Sequence, residues 1–285
     1  MHDSTMRAMK LQFAGLLALL SLQLHAAEGS FEINQDCVAA GCFSGDSPGY
    51  PVTITTPGRY ALSSDLNVTG GSSTNGIEIS ASLVDLDLNG HTLNGGGSCT
   101  GTPVTSCSGF LGGRGVQISG TGALVVHVHD GTLRGFADSG MVAFGVDSGT
   151  LFDHLLVTEN FFGVLLVADS SKSNIRIDQC AFSRNGGQSL GVANNIHADL
   201  RVTSSIFTGN RTEGVGAGDG STFLDNTFSD NGGLGLICYP AASSVCALGR
   251  NTFLGNNGGG AAAQWSIHTV RDMTGNVCMD DGTCP

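Results

Sequence analysis

The sequence predicts an all-β fold, a single-stranded solenoid wound as a parallel β-helix of about eight rungs. Three observations predict it. First, four segments repeat: Cys180-Ala-Phe-Ser-Arg-Asn185, Ser205-Ile-Phe-Thr-Gly-Asn210, Asn226-Thr-Phe-Ser-Asp-Asn231 and Asn251-Thr-Phe-Leu-Gly-Asn256. Their phenylalanines stand at 182, 207, 228 and 253, in steps of 25, 21 and 25. Self-similarity at this period means a solenoid, either a β-helix or a leucine-rich repeat. Second, the segments alternate Val, Ile, Phe and Thr with polar residues and lack the leucine-rich pattern, which is strand chemistry. Third, the chain holds 44 Gly in 285 residues, about twice ordinary usage. A coil that turns several times per rung needs them.

The repeat extends in both directions. Counting back from Phe182 reaches Val157, Leu133 and Leu93, and counting forward from Phe253 reaches Val277. No rung can bury its inward face alone, so stacking must supply the core. At a strand spacing of roughly 4.8 Å, eight rungs make a rod of about 38 Å. Equivalent residues then stack in columns. Phe182, Phe207, Phe228 and Phe253 are expected as an interior aromatic stack. Asn160, Asn185, Asn210, Asn231 and Asn256 are expected as an amide ladder satisfying backbone groups at a turn, with Ser205, Asn226 and Asn251 as a second ladder.

Along the chain, residues 1–26 read as a secretory signal peptide. Arg7 and Lys10 precede an apolar run from Leu11 to Leu24, and small residues follow. The run is too short to span a membrane. Without Arg7, Lys10 and Asp3, the 12 basic and 24 acidic residues fall to 10 and 23. Such an acidic chain is not expected to bind nucleic acid or anionic membranes. The expected location is secreted or periplasmic, as a monomer. Nine Cys in an exported chain read as disulfides. Close spacing pairs Cys37 with Cys42, Cys99 with Cys107, Cys238 with Cys246, and Cys278 with Cys284, leaving Cys180 as a buried free thiol. Residues 27–60 read as an N-terminal cap and 61–278 as the β-helix. A loop is inserted at 94–113, closed by Cys99 and Cys107. Residues 279–285 form a disulfide-bound tail, and the segment from Ala261, with Trp265, reads as the closing cap. A solenoid end exposes an unpaired rung and needs such covering.

Val52-Thr-Ile-Thr-Thr-Pro-Gly-Arg-Tyr-Ala-Leu62 and Val84-Asp-Leu-Asp-Leu-Asn-Gly-His-Thr-Leu93, with the Asn-bearing rungs, resemble the exported right-handed parallel β-helix proteins of the pectate-lyase-like group. The resemblance covers nearly the whole chain after residue 26. It implies a right-handed coil, and among its members are polysaccharide lyases, hydrolases, epimerases and proteins without known activity. Fold alone does not choose among them. The paired Asp-Asp with Gly-His-Gly of galacturonan hydrolases is absent, since Asp280-Asp281 falls in the tail. In Ile175-Arg-Ile-Asp-Gln-Cys-Ala-Phe-Ser183, Gln179 stands where the similar lyase strand carries His.

Aligning rungs on the Leu93–Phe207 column sets Leu88, Val128, Phe152, Ile177 and Val202 inward. Their neighbours alternate outward. One outer face should therefore carry Asp87, Asn89, His127, His129, Asp153, Asp178, Arg176 and Arg201, with the inserted loop leaving beside it. Asp153 and Asp178, one rung apart, would repel unless a Ca²⁺ or a shared proton relieved them. A carboxylate pair so close also suits a retaining glycosidase. His127 and His129 on one side of a strand can bind a metal or serve as acid and base. Arg176, Arg201 and Asp87 can hold a sugar, the arginines through its carboxylate. The expected function is binding or processing of a polysaccharide on this face, by lyase or glycosidase chemistry if it is an enzyme. The alternative is a non-catalytic structural or adhesin-like envelope protein whose outer face is simply solvated.

Overall fold

Alternation along each segment leaves every strand with one apolar face, and the chain buries those faces by coiling. The coil containing Ile175–Asp178, Ala181–Ser183 and Leu190–Ala193 is representative. Each of the three segments pairs in parallel with its equivalent in the next coil, Ile175 with Leu200, Ala181 with Ile206, and Leu190 with Val215. The first two segments of each coil form two sides of the helix within one 17-stranded sheet. The third segments form a nine-stranded sheet, the third side. Among the described residues nine coils are therefore wound, one more than the eight counted along the Phe column. Val52–Ile54 pairs with Ile77–Ile79, and Gly58–Leu62 pairs with Val84–Asp87, so the coil already begins inside the stretch expected to be a cap. The computed structural model describes residues 29–120, 124–146, 148–167, 174–193, 199–239, 245–259, 262–267 and 270–279. The β-helix belongs to the unit formed by residues 31–285. The expected signal peptide lies outside the described residues, as do Asp280, Asp281 and Cys284.

The aromatic stack forms as the repeat requires. Phe182, Phe207, Phe228 and Phe253 are buried, with centroids 4.8, 5.1 and 4.8 Å apart and planes within 4–10°. The column starts at Leu66 and Leu93, and it ends at Cys278 rather than at Val277. The last step is thus one residue longer than counted, which leaves Val277 exposed. Trp265 meets Phe253 edge-on at 4.7 Å, and its strand still extends the nine-stranded sheet. The segment expected to close the helix thus continues the coil.

The Asn ladder occupies the corner between the second and third sides. The backbone bends there through left-handed residues: Glu159 (φ 56°), Arg184 (53°), Gly209 (65°), Asp230 (52°) and Gly255 (63°). Side chains disfavour that region, and the following Asn compensates. Asn185 Oδ1 accepts the Asn160 N–H at 3.1 Å, while Asn185 Nδ2 donates to Val157 O at 3.1 Å and to Asn210 Oδ1 at 3.0 Å. The pattern repeats through Asn256, where the Gln264 amide closes the ladder. The second ladder runs through Ser205, Asn226 and Asn251 to Asn276. These buried amides replace water as partners for the bent backbone.

Disulfides Cys37–Cys42, Cys99–Cys107 and Cys238–Cys246 form as expected, and Cys278 is disulfide-bonded too. Cys180 is free and buried. The inserted loop is an antiparallel hairpin of Ser98–Gly101 and Val104–Ser108. It folds down along the Asn-ladder corner: Val104 N–H donates to Gly209 O at 3.0 Å, and the Arg184 guanidinium donates to Cys99 O. It therefore does not flank the face on which the candidate site residues lie. Among the described residues, no helix is long and apolar enough to cross a membrane.

Candidate functional site on the first side

The first side carries the predicted face, with one correction of register. His127 pairs with Asp85 and His129 with Asp87, so Val128 stacks on Leu86 rather than on Leu88. Leu93 lies seven positions after Leu86, whereas Leu133 lies five positions after Val128. The two extra residues are absorbed by a turn through Asn89 (φ 50°) and Gly90 (φ 77°), closed by His91 N–H to Leu88 O at 2.7 Å. Gly131 makes room for that turn, since a Cβ there would lie 2.3 Å from Leu88 Cβ. Asn89 leaves the predicted row: its side chain donates to Leu62 O at 3.0 Å. Asp85, absent from the sequence-based set, takes the central place.

Two imidazoles stack face to face, His127 and His129, with centroids 4.1 Å apart. Carboxylates surround them. His127 Nδ1 lies 3.0 Å from Asp85 Oδ1, and its Nε2 lies 2.5 Å from Asp153 Oδ1. His129 Nε2 lies 3.0 Å from the same Asp85 oxygen, and its Nδ1 is 2.7 Å from Asp130 Oδ2 and 3.8 Å from Asp87 Oδ1. Arg59 Nε approaches the other Asp85 oxygen at 3.7 Å. Burial opposes charge on His129, but the Asp130 hydrogen bond and the charges of Asp87 and Asp85 outweigh it, and its pKa rises above the ordinary imidazole value. The hydrogen bond that His154 Nδ1 donates to Asp153 Oδ2, at 2.9 Å, raises the His154 pKa in the same direction. Asp130 and His154 both occupy left-handed corner positions (φ 55° and 52°), which aim them at the cluster's edge. Asp85, His127 and His129, and separately Asp87, His129 and Asp130, bring three possible metal-ligating atoms together.

The remaining predicted residues continue down the same side. Asp153 stands in register with Asp178, and Arg176 with Arg201. The two aspartates are engaged differently. Asp153 is half-buried and holds His127 and His154 with its two oxygens. Asp178 accepts from the Thr203 hydroxyl and, at 3.2 Å, from Gln179 Nε2. Arg176, Arg201, Asp178, Thr203 and Leu151 line a depression of about 340 Å³. A second, of about 530 Å³, is lined in part by Asp87, Asp130, Thr132 and His154. Chemically, the cluster can hold a proton on an imidazole between carboxylates, and the neighbouring arginines can hold an anionic group.

No curated protein matches the chain. Among solved structures, it is similar to full-length tailspike protein 2 from Escherichia coli O157:H7 bacteriophage CAB120, with a TM-score of 0.54 and 15% identity over 89% of this chain. The chain spans 39% of the length of that protein, and the likeness is one of fold. Residues 114–272 match the family described as the right-handed β-helix region, more than half of the sequence. With the coil and its ladders in view, the chain belongs to the right-handed β-helix family.

Proposed function

We propose that this protein binds a polysaccharide bearing carboxylate groups along its first side and acts on it at His127 and Asp153. The single observation carrying this reading is the position of His127 between Asp85 and Asp153, two coils from the depression lined by Arg176, Asp178 and Arg201. The two arginines supply local positive charge on a chain of net charge −12, and each can grip a carboxylate with two parallel N–H groups. A straight column of equivalent outward positions suits a linear polymer laid along the helix axis. His127 and Asp153 are the proton-transfer pair, the carboxylate exchanging the proton held between Nε2 and Oδ1, and Asp85 fixes the orientation of the ring. His129 and Asp87 border the same strip, and a Ca²⁺ at Asp153 and Asp178 would join the protein to a sugar carboxylate. The family resemblance, whose members include lyases and hydrolases of such polymers, supports the substrate class.

The experiment incubates purified protein with a panel of uronans and neutral glycans, with and without Ca²⁺. It reads binding, new reducing ends and unsaturated products. The reading expects binding of uronans and product formation that His127→Ala abolishes. Failure of every glycan to bind or react would contradict it. Binding without product, unchanged in Asp153→Asn, would support the non-catalytic, adhesin-like alternative.

A further inference from the structure

Three donor atoms on the first side face one another: Asp85 Oδ1, His127 Nδ1 and His129 Nε2. The carboxylate oxygen lies 3.0 Å from each nitrogen, and all three atoms lie within 4.8 Å of one another. Ligands held about 2.0–2.1 Å from a tetrahedral ion stand roughly 3.3 Å apart, so the two oxygen–nitrogen distances are already near that spacing. The outer nitrogens matter as much. His127 Nε2 meets Asp153, and His129 Nδ1 meets Asp130, at 2.5 and 2.7 Å. When each imidazole gives its one N–H to its outer carboxylate, both inner nitrogens offer lone pairs beside the Asp85 oxygen, a donor set that a cation can hold. The outer carboxylates take the place that hydrogen-bonded partners of metal-binding histidines take elsewhere.

We propose that Asp85, His127 and His129 bind one divalent first-row ion of the Zn²⁺ class, with Asp153 and Asp130 fixing the imidazole tautomers. Two imidazoles and one carboxylate select such an ion over Ca²⁺ or Mg²⁺, which prefer oxygen. Three protein ligands leave a fourth position, and the half-exposed edges of His127 and Asp85 direct it to solvent. Asp87, His129 and Asp130 form the competing grouping, which has one imidazole and a 3.8 Å separation between His129 Nδ1 and Asp87. The inference stands on this geometry and not on the polysaccharide reading.

The test uses purified protein without a histidine tag, stripped with EDTA and dialysed. Zn²⁺ is titrated by calorimetry, and Co²⁺ is followed by its visible absorption. One equivalent of Zn²⁺ should bind at micromolar affinity or tighter, with a tetrahedral Co²⁺ spectrum, and the thermal midpoint should rise. Asp85→Asn and His127→Ala should each weaken binding by more than about 100-fold and abolish the rise in midpoint, while Asp153→Asn should weaken it roughly 10–100-fold. Asp87→Asn should bind as wild type does. Absence of Zn²⁺ binding by the folded wild type would overturn the proposal. So would loss of binding in Asp87→Asn with retention in Asp85→Asn, which would place the ion at the competing grouping. No sugar enters this experiment, so its failure leaves the polysaccharide reading to its own assay.

Discussion

His127 Nε2 lies 2.5 Å from Asp153 Oδ1, a contact made across one coil step between residues 26 apart in sequence. On the other side of the ring, Asp85 holds Nδ1 at 3.0 Å. Parallel stacking creates this clamp, because equivalent outward positions of neighbouring coils must face one another.

Asp153→Asn removes the charge and keeps the shape. A positioned acid–base group contributes typically 10²–10⁴-fold, so glycan turnover should fall by about 100-fold or more. The thermal midpoint should stay within a few degrees, because the residue lies at the edge of the coil and not in its core. Steady-state assays beside a thermal melt check both.

The Asn ladder should dominate stability. Asn210 Nδ2 donates to Phe182 O and Asn231 Oδ1, and its Oδ1 accepts from Asn185. Asn210→Ala would strand several buried backbone and amide groups at once. Each costs roughly 1–3 kcal/mol, so a loss of at least about 3 kcal/mol is expected in urea unfolding. Asn210→Asp restores the acceptor but not the donor, and should recover little of it.

The aromatic stack gives an independent measure. Phe207 is buried between Phe182 and Phe228. Phe207→Ala should cost about 3–5 kcal/mol through lost burial and an unfilled void. Phe207→Leu should cost clearly less. Chemical denaturation of both variants, compared at equal slope, tests the ordering.

Cys180 gives a pH signature. Burial pushes its thiol from 9.0 up to about 12. A raised value means the folded state keeps its proton where the unfolded chain loses it. The stability this thiol contributes is therefore complete below pH 9.0 and lost as pH climbs toward 12. The fall should approach ~1.4 kcal/mol per pH unit in that window. Cys180→Ala should remove this part of the slope, and native protein should resist thiol reagents at pH 8 until it is unfolded.

The sequence made the coil legible because its interior is periodic. Phe182 through Phe253 and Asn160 through Asn256 fall where counting puts them, since each rung must repeat the same corner and the same inward residue. The site was less legible for the same reason. Two extra residues at Asn89-Gly90 break the count, and the inward residue moves from Leu88 to Leu86. That slip hid Asp85, although the Asn-Gly pair is itself a turn signal and Val84-Asp-Leu-Asp-Leu88 already alternates as a strand. The destination of the hairpin was not readable either. It is fixed by tertiary contacts of Val104 with Gly209 and of Arg184 with Cys99, between residues about a hundred positions apart, which no local pattern encodes.

The central claim is that the first side is the working surface. It is tested most directly by equilibrium binding of uronan oligosaccharides to the wild type and to the Arg176→Ala/Arg201→Ala double variant at several salt concentrations. The account predicts salt-sensitive binding by the wild type and a loss of roughly 10–100-fold in the double variant, the scale of one or two charge-assisted hydrogen bonds, with the thermal midpoint unchanged. Equal affinity of the two proteins, or no binding by the wild type, would contradict it.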